Sequence, residues 1–426
     1  MSDRLIVRGG RRLRGTVHVA GNKNAAGPAL AAALLSDEPL RLRNVPRIGD
    51  VEVFADLLRS LGVEIDEEGD DTLVACAARV VSGRVDARLG RQIRMSLLLA
   101  GPLLARLGRA ELPPPGGDVI GRRRIDTHIL ALQGLGAKVE AGRDGYRLSA
   151  KRLHGADILL DEMSVTATEN VVLAAVLAEG RSVIRNAASE PHVQDLCELL
   201  NAMGASISGT GTNQLVIDGV ERLRGTDFAL GPDYLEVGSF IGLAAVTHSA
   251  LRIADCRPAE HGMTRIMFNR LGVDWKVDGN DIVVPEEQAL EVVEDQGNAV
   301  PKIDDAPWPG FPADLISIAT VTATQVRGSV LIHEKLFESR LFFVDRLISM
   351  GARIVLCDPH RAVVIGPSKL YGQNLVSPDI RAGMALLIAA LCAEGESAID
   401  NVSQIDRGYE RIEERLVELG ADVHRV

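Results

Sequence analysis

Six stretches of this chain are apolar on nearly every side of a helix: PALAAALL (28–35), SLLLAGPLLARL (96–107), VVLAAVLA (171–178), FIGLAAV (240–246), LISIATVTA (315–323) and MALLIAALCA (384–393). A helix without a polar face belongs in an interior, so the pattern predicts six buried helices. After each comes a helical pattern with one wet face, such as DVEVFADLLRSLG (50–62) or GYERIEERLVELG (408–420). These second helices run into one recurring junction: LGVEI, LGAKV, MGASI, LGVDW, MGARI and LGADV. Its glycines are Gly62, Gly136, Gly204, Gly272, Gly351 and Gly420, spaced 68 to 79 residues apart. Glycine just past a helix end takes the left-handed conformation cheaply, and the alternating run after it reads as a strand.

Each unit thus predicts one buried helix, one amphipathic helix and several short strands. Three units enclose one set of buried helices, and 426 residues are enough for two such bodies. The expected fold class is α/β: a two-domain inside-out α/β barrel of six repeated units, three per domain. A six-unit solenoid is the competing arrangement, but solenoid repeats usually run about 20–45 residues.

Composition narrows the function. A net charge of −11 and 3% aromatic residues argue against nucleic acid as a partner. The N-terminal MSDRLIVRGGRRLRG has no apolar signal core, and no apolar run reaches the roughly 18 residues of a membrane span. Five scattered cysteines without C-x-x-C spacing predict reduced thiols, hence a cytoplasmic protein with no zinc site.

Against the acidic background, cations stand at helix starts and in glycine-flanked loops. Lys23 and Asn24 lie in AGNKNAAGPAL, Arg94 in RQIRMSLLL, Arg340 in LFESRLFF, Arg381 in SPDIRAGM and Arg407 in QIDRGYER. Arg122, Arg123 and Arg124 follow three prolines and two glycines in LPPPGGDVIGRRRIDTH. Taken singly, each reads as a solvated or salt-bridged surface charge. The repeat, however, places them at matching ends of matching elements, and arginine forks bind carboxylate and phosphate bidentately. A small substrate bearing both groups fits. Among the acids, Asp314 in FPADLI starts a buried helix, where it is either an N-cap or a catalytic group, while Asp233 and Glu236 suit capping or packing. SGTGTNQ (208–214) lacks the following helix of a dinucleotide-binding loop, and the histidines show no metal spacing.

The motifs GNKNAA, GGDVIGRRRIDTH, FPADL, FESR, DIRAG and QIDRGYERIE, with the six repeats, resemble the enolpyruvyl transferases over the whole chain. The resemblance implies one domain at 22–231 carrying a mobile catalytic loop, a second at 1–21 plus 232–426, and an active site in the cleft. It implies phosphoenolpyruvate and UDP-N-acetylglucosamine as substrates, in peptidoglycan synthesis, with no cofactor and no metal. Lys23, Asn24, Arg94, Arg123, Arg340, Arg381 and Arg407 match residues around phosphoenolpyruvate. Asn24, Arg94, Arg123, Asp126, Ser164, Val165, Thr166, Asp314 and Phe337 match the site of the nucleotide sugar. Asp118, Lys23, Asp314 and Arg407 match the catalytic positions, Asp314 as the base near the sugar 3-hydroxyl.

Four positions depart from the family pattern. Asp118 stands where a cysteine is usual, Glu162 where a lysine is frequent, Thr166 for a glycine and Arg124 for a proline. Asp118 is expected to serve in proton transfer; burial of the loop and its arginines act on such a carboxyl in opposite directions. The resemblance implies that the epoxide fosfomycin alkylates the usual cysteine, so with Asp118 in its place insensitivity is expected. The other three departures touch the nucleotide end. They leave open enolpyruvyl transfer to another nucleotide such as uridine monophosphate, or a paralogue that binds the nucleotide sugar without turnover.

Overall fold

A computed structural model describes residues 3–118, 120–121 and 123–426. The six apolar stretches form inner helices Lys23–Ala32 (α1), Ala100–Leu107 (α2), Val165–Ala175 (α3), Tyr234–Val246 (α4), Ile316–Ala323 (α5) and Ile380–Cys392 (α6). Every residue of α4 and α5 is buried. Short 3-10 turns, Arg94–Leu99 and Ala313–Leu315, lead into α2 and α5. The wet-faced helices are Gly49–Ser60, Asp126–Gly134, Pro191–Ala202, Gly262–Asn269, Val344–Ser349 and Ile412–Glu418.

The six glycine junctions share one geometry. Gly62, Gly136, Gly204, Gly272, Gly351 and Gly420 all have positive φ, between 68° and 109°. At each, the glycine N–H bonds the carbonyl three residues back, and the next N–H bonds the carbonyl five back, as in Gly62→Arg59 with Val63→Leu58 and Gly420→Val417 with Ala421→Leu416. This is the Schellman closure, which satisfies carbonyls a helix end leaves open.

One predicted helix is shorter than its pattern. Within 408–420 the helix begins only at Ile412, because Arg411 adopts φ +42°. The fully buried Tyr409 hydrogen-bonds Ser239 at 2.9 Å and lies under the Arg381 guanidinium, so burial of this ring outweighs helix continuity. Arg407 therefore ends the short helix Ser403–Asp406 instead of opening an amphipathic one.

The chain divides into two compact units: Gly21–Gly117 with Arg124–Gly231, and Met1–Ala20 with Asp118–Arg123 and Pro232–Val426. In the first unit α3 packs against α2 and α1, and the 3-10 turn Arg94–Leu99 bridges α1 and α2; in the second α4, α5 and α6 pack pairwise, each unit around its own apolar core. The tip of the basic loop, Asp118–Arg123, groups with the second unit although its flanks belong to the first.

Among the described residues, each unit carries three small mixed sheets. In most, an edge strand runs parallel to its neighbour and the rest are antiparallel, as in Asp227–Ala229, Leu40–Arg43, Thr72–Cys76, Glu64–Glu68. In the sheet of Arg109–Leu112, Gly145–Ser149 and Lys138–Gly142 the parallel edge shrinks to one bridge, Arg84 to Glu111. The sixth sheet borrows an interior strand: Arg4–Arg8 lies between Glu396–Asp400 and Asp422–Arg425, antiparallel to both.

Candidate active site

In the second unit the polar centre is Asp314. It is not an N-cap: Pro312 holds that position, and Asp314 sits inside the 3-10 turn. Its carboxylate accepts from Arg340 Nη2 at 2.6 Å and Arg381 Nε at 3.2 Å. Both arginine side chains are about 5% exposed or less. Burial alone would lower their proton affinity; Asp314 and Glu334 reverse this at Arg340, and Tyr409, Asp314 and Asp233 reverse it at Arg381. The Arg340 guanidinium also stands 5.2 Å over the Phe337 ring. Among the described residues, Arg340 Nε and Arg381 Nη1 are buried donors without an acceptor.

Behind this pair lies Glu334, fully buried and 3.9 Å from Arg340 Nε. Burial pushes its carboxyl up to about 9, with Arg340 acting in the opposite direction. One Glu334 oxygen accepts the N–H groups of Leu336 and Phe337, fixing the turn that presents Phe337.

The loop tip brings a second acid to a second arginine. Arg407 Nη1 donates to Asp118 Oδ1 at 2.6 Å and to Gln404 at 2.8 Å. Arg123 shares this environment: burial lowers its proton affinity, while Asp118 and Asp314 support its charge. Arg122 lies outside the described residues.

In the first unit Lys23, the first residue of α1, is buried and pairs with Asp50 at 2.9 Å. Asn22 caps the helix by accepting the Asn24 N–H at 2.8 Å. Arg94 opens the 3-10 turn before α2, and its Nη2 donates to the Arg124 carbonyl at 2.7 Å. Arg124 in turn reaches Asp126 at 3.1 Å, Asp161 at 2.8 Å and Glu162 at 4.0 Å. Two of the family departures, Arg124 and Glu162, thus face each other.

Ser164 caps α3, and Val165 and Thr166 form its first turn, where free N–H groups and the helix dipole favour an anion. Thr166 Oγ1 meets the buried His128 Nε2 at 3.0 Å. Burial, reinforced by Arg94, pushes that imidazole down to about 3, so it is neutral at physiological pH.

Asp50, Glu334, His128 and Asn170 escape a reading of the sequence. Asp50 is 6% exposed, yet in GDVEVF it looks like an acid favouring a helix dipole. The remaining candidates fall into two groups: Lys23, Asn24, Arg94, Asp126, Ser164, Val165 and Thr166 in the first unit, and Asp118, Arg123, Asp314, Phe337, Arg340, Arg381 and Arg407 in the second. Among the described residues no cluster of three or more His, Cys, Asp or Glu side chains could hold a metal ion.

Comparison with known proteins adds the context. A family profile described as EPSP synthase (3-phosphoshikimate 1-carboxyvinyltransferase) matches residues 7–416. The chain is 56% identical over 418 residues to the UDP-N-acetylglucosamine 1-carboxyvinyltransferase of Treponema denticola, covering 98% of each chain. It is also 56% identical over 421 residues to the enzyme of that name from Bradyrhizobium diazoefficiens, covering 99% of this chain and 97% of that one. Among solved structures, the enolpyruvyl transferase NikO from Streptomyces tendae superposes with a TM-score of 0.88 at 26% identity, over 100% of this chain and 99% of that one. An EPSP synthase from Acinetobacter baumannii shares the fold, with a TM-score of 0.76 at 16% identity over the whole of both chains.

Proposed function

The chain belongs to the EPSP synthase family of enolpyruvyl transferases, and from that premise we propose that it moves the enolpyruvyl group of phosphoenolpyruvate onto the 3-hydroxyl of UDP-N-acetylglucosamine, releasing phosphate. The observation that carries the choice of acceptor is identity of 56% along essentially the full chain to enzymes named for that transfer. The reaction is a step of peptidoglycan synthesis. Five free thiols suit a reducing compartment, so we assign the chain to the cytoplasm; among the described residues no helix is long and apolar enough to cross a membrane.

The chemistry is addition followed by elimination. A proton adds to C3 of phosphoenolpyruvate, leaving C2 electron-poor. The sugar oxygen attacks C2 and loses its proton to a base, giving a tetrahedral phospho-ketal. C3 then releases a proton as the bond from C2 to the phosphate oxygen breaks, so the products are the enolpyruvyl ether and inorganic phosphate.

The roles follow from charge and position. Lys23, Arg94, Arg123, Arg340, Arg381 and Arg407 hold the phosphate and carboxylate, as fixed positive partners for charge that develops during reaction. Asp50 keeps Lys23 oriented. Asp314, held in place by Arg340 and Arg381, takes the hydroxyl proton as C2 becomes electron-poor. Asp118 carries the proton at C3, and Arg407 fixes its carboxylate. Asn24 and Phe337 contact the sugar, Ser164, Val165 and Thr166 receive the diphosphate, and Asp126 and the backbone at Arg123 take the uracil.

The test is phosphate release from phosphoenolpyruvate with UDP-N-acetylglucosamine, run beside uridine monophosphate and shikimate 3-phosphate. Turnover with the nucleotide sugar alone is expected. Turnover with either other acceptor alone would keep the chemistry and overturn the acceptor. Binding of the nucleotide sugar without phosphate release would overturn the enzyme.

A further inference from the structure

The hydroxyl of Thr166 has a direction that the hydrogen bonds around it determine. Asn170, one turn further along α3, is 1% exposed. Its side-chain oxygen accepts the Gly101 N–H at 2.6 Å, and its side-chain nitrogen donates to the Leu97 carbonyl at 2.8 Å. A backbone N–H can only donate and a carbonyl can only accept, so the orientation of this amide is fixed. The helices approach closely here: a Cβ on Gly101 would run into the Asn170 carbonyl oxygen.

The second proton of the Asn170 amide points at His128 Nδ1, 3.0 Å away. Nδ1 must therefore accept, and a neutral imidazole that accepts at Nδ1 carries its proton on Nε2. Nε2–H then donates to Thr166 Oγ1 at 3.0 Å. With an acceptor contact already made, the hydroxyl proton of Thr166 is left to point elsewhere. Thr168, one position beyond Ala167, turns its hydroxyl back onto the Ser164 carbonyl at 2.8 Å. Among the described residues Thr166 makes no such return bond. Its O–H is a committed donor on a partly exposed side chain in the first turn of α3.

We infer that Thr166 is a specificity-determining donor which hydrogen-bonds a phosphoryl oxygen of the nucleotide diphosphate, and that His128 and Asn170 are positioning residues that hold its hydroxyl in the donating sense. The inference rests on the functional reading above for the identity of the ligand, and on the Asn170–His128 bond pattern for the direction. A donor locked before binding loses less entropy on meeting its acceptor than a free rotor does.

Two measurements test it. The first is the protonation pattern of His128 in 15N-histidine-labelled full-length protein. A bare Nδ1 and a protonated Nε2 are expected across neutral pH, and a protonated Nδ1 would overturn the mechanism of positioning. The second compares Thr166→Val with Thr166→Ser by steady-state kinetics and by calorimetry with UDP-N-acetylglucosamine. Valine keeps the shape and removes the donor, so KM and Kd for the nucleotide sugar should rise about ten- to a hundredfold, the range for a bond to a charged acceptor, with KM for phosphoenolpyruvate little changed. Serine should restore both constants, which a packing role for the methyl group would not predict. If wild type turns over UDP-N-acetylglucosamine and the valine variant matches it, the inference is overturned while the functional reading stands. If wild type neither binds nor turns over the nucleotide sugar, the functional reading falls first and takes the ligand assignment with it.

Discussion

Asp233 and Asp314 begin consecutive inner helices of the same unit, behind similar prolines, and their carboxylates do opposite things. In GPDYLE the aspartate directly follows proline, stands at the N-cap of α4, and accepts the N–H groups of Leu235 and Glu236. In FPADLI one alanine intervenes. Pro312 takes the cap position, Asp314 moves into the following 3-10 turn, and its carboxylate is left for Arg340 and Arg381. SPDIRA repeats the first solution, with Asp379 capping α6 through the N–H groups of Arg381 and Ala382. The first unit shows the same two-to-one split: Asn22 and Ser164 cap α1 and α3, while the middle repeat opens uncapped at Ile93 with Arg94 next. In each unit the middle repeat opens without a side-chain cap and sets a charged side chain just after the cap position, Arg94 after Ile93 and Asp314 two residues after Pro312. A cap contributes about 1 kcal/mol, and that stability is what the reactive geometry forgoes.

Of the two carboxylates, Asp314 should be the more sensitive to substitution. Asp314→Asn should lower kcat by about a thousandfold, within the range for loss of a general base, whereas Asp233→Asn, still a good cap, should stay within about threefold of wild type. Equal losses in the two variants would mean that Asp314 acts through packing. Deletion of Ala313 restores the Pro-Asp spacing and should turn Asp314 into a cap, giving a folded protein with a comparable loss of kcat. An active deletion variant would show that register does not aim this carboxylate.

At the loop tip, Asp118→Asn should cost roughly a hundredfold in kcat, as expected for removing a proton carrier. Wild type should show no time-dependent inactivation by fosfomycin; progressive loss of activity would place the nucleophile elsewhere.

Glu334 supplies a smaller, pH-dependent effect. Its native carboxyl titrates near 9 against an ordinary 4.5, so above pH 4.5 the native state holds a proton that the unfolded chain has released. Stability from this group is complete below the lower value and falls as pH rises toward the upper, by at most about 1.4 kcal/mol per pH unit. Glu334→Gln should flatten that decline in urea-unfolding midpoints taken between pH 5 and pH 8.5. The smallest effect belongs to the plain cap: Asp233→Ala should lose about 1–2 kcal/mol in the same assay, with little change in kcat.

Much of this was legible in the chain itself, for local reasons. A helix apolar on every side has one place to go, and glycine after leucine or methionine closes a helix in one way, so six inner helices and six Schellman ends follow from short windows. Even the difference between Asp233 and Asp314 is written as Pro-Asp against Pro-Ala-Asp. Partners are another matter. That Lys23 pairs with Asp50, or Asp314 with Arg340 and Arg381, depends on elements 26 to 67 residues apart meeting in space. The break at Arg411 was invisible because it follows from where Tyr409 finds an interior. The His128 link needed the orientation of Asn170, which no spacing encodes.

The strand Arg4–Arg8, seated between Glu396–Asp400 and Asp422–Arg425, also sets an order of assembly during synthesis. All three sheets of the first unit use strands that have left the ribosome once residue 231 is free, so that unit can finish while translation continues. The strand Arg4–Arg8 has no such early partner. It is made before the first unit and placed after it, held through some 390 further residues until strands 396–400 and 422–425 emerge on either side of it. Until then its Leu5 and Val7, fully buried at the end, are apolar side chains on a strand without its neighbours, so the last pairing to form is also the one that hides them.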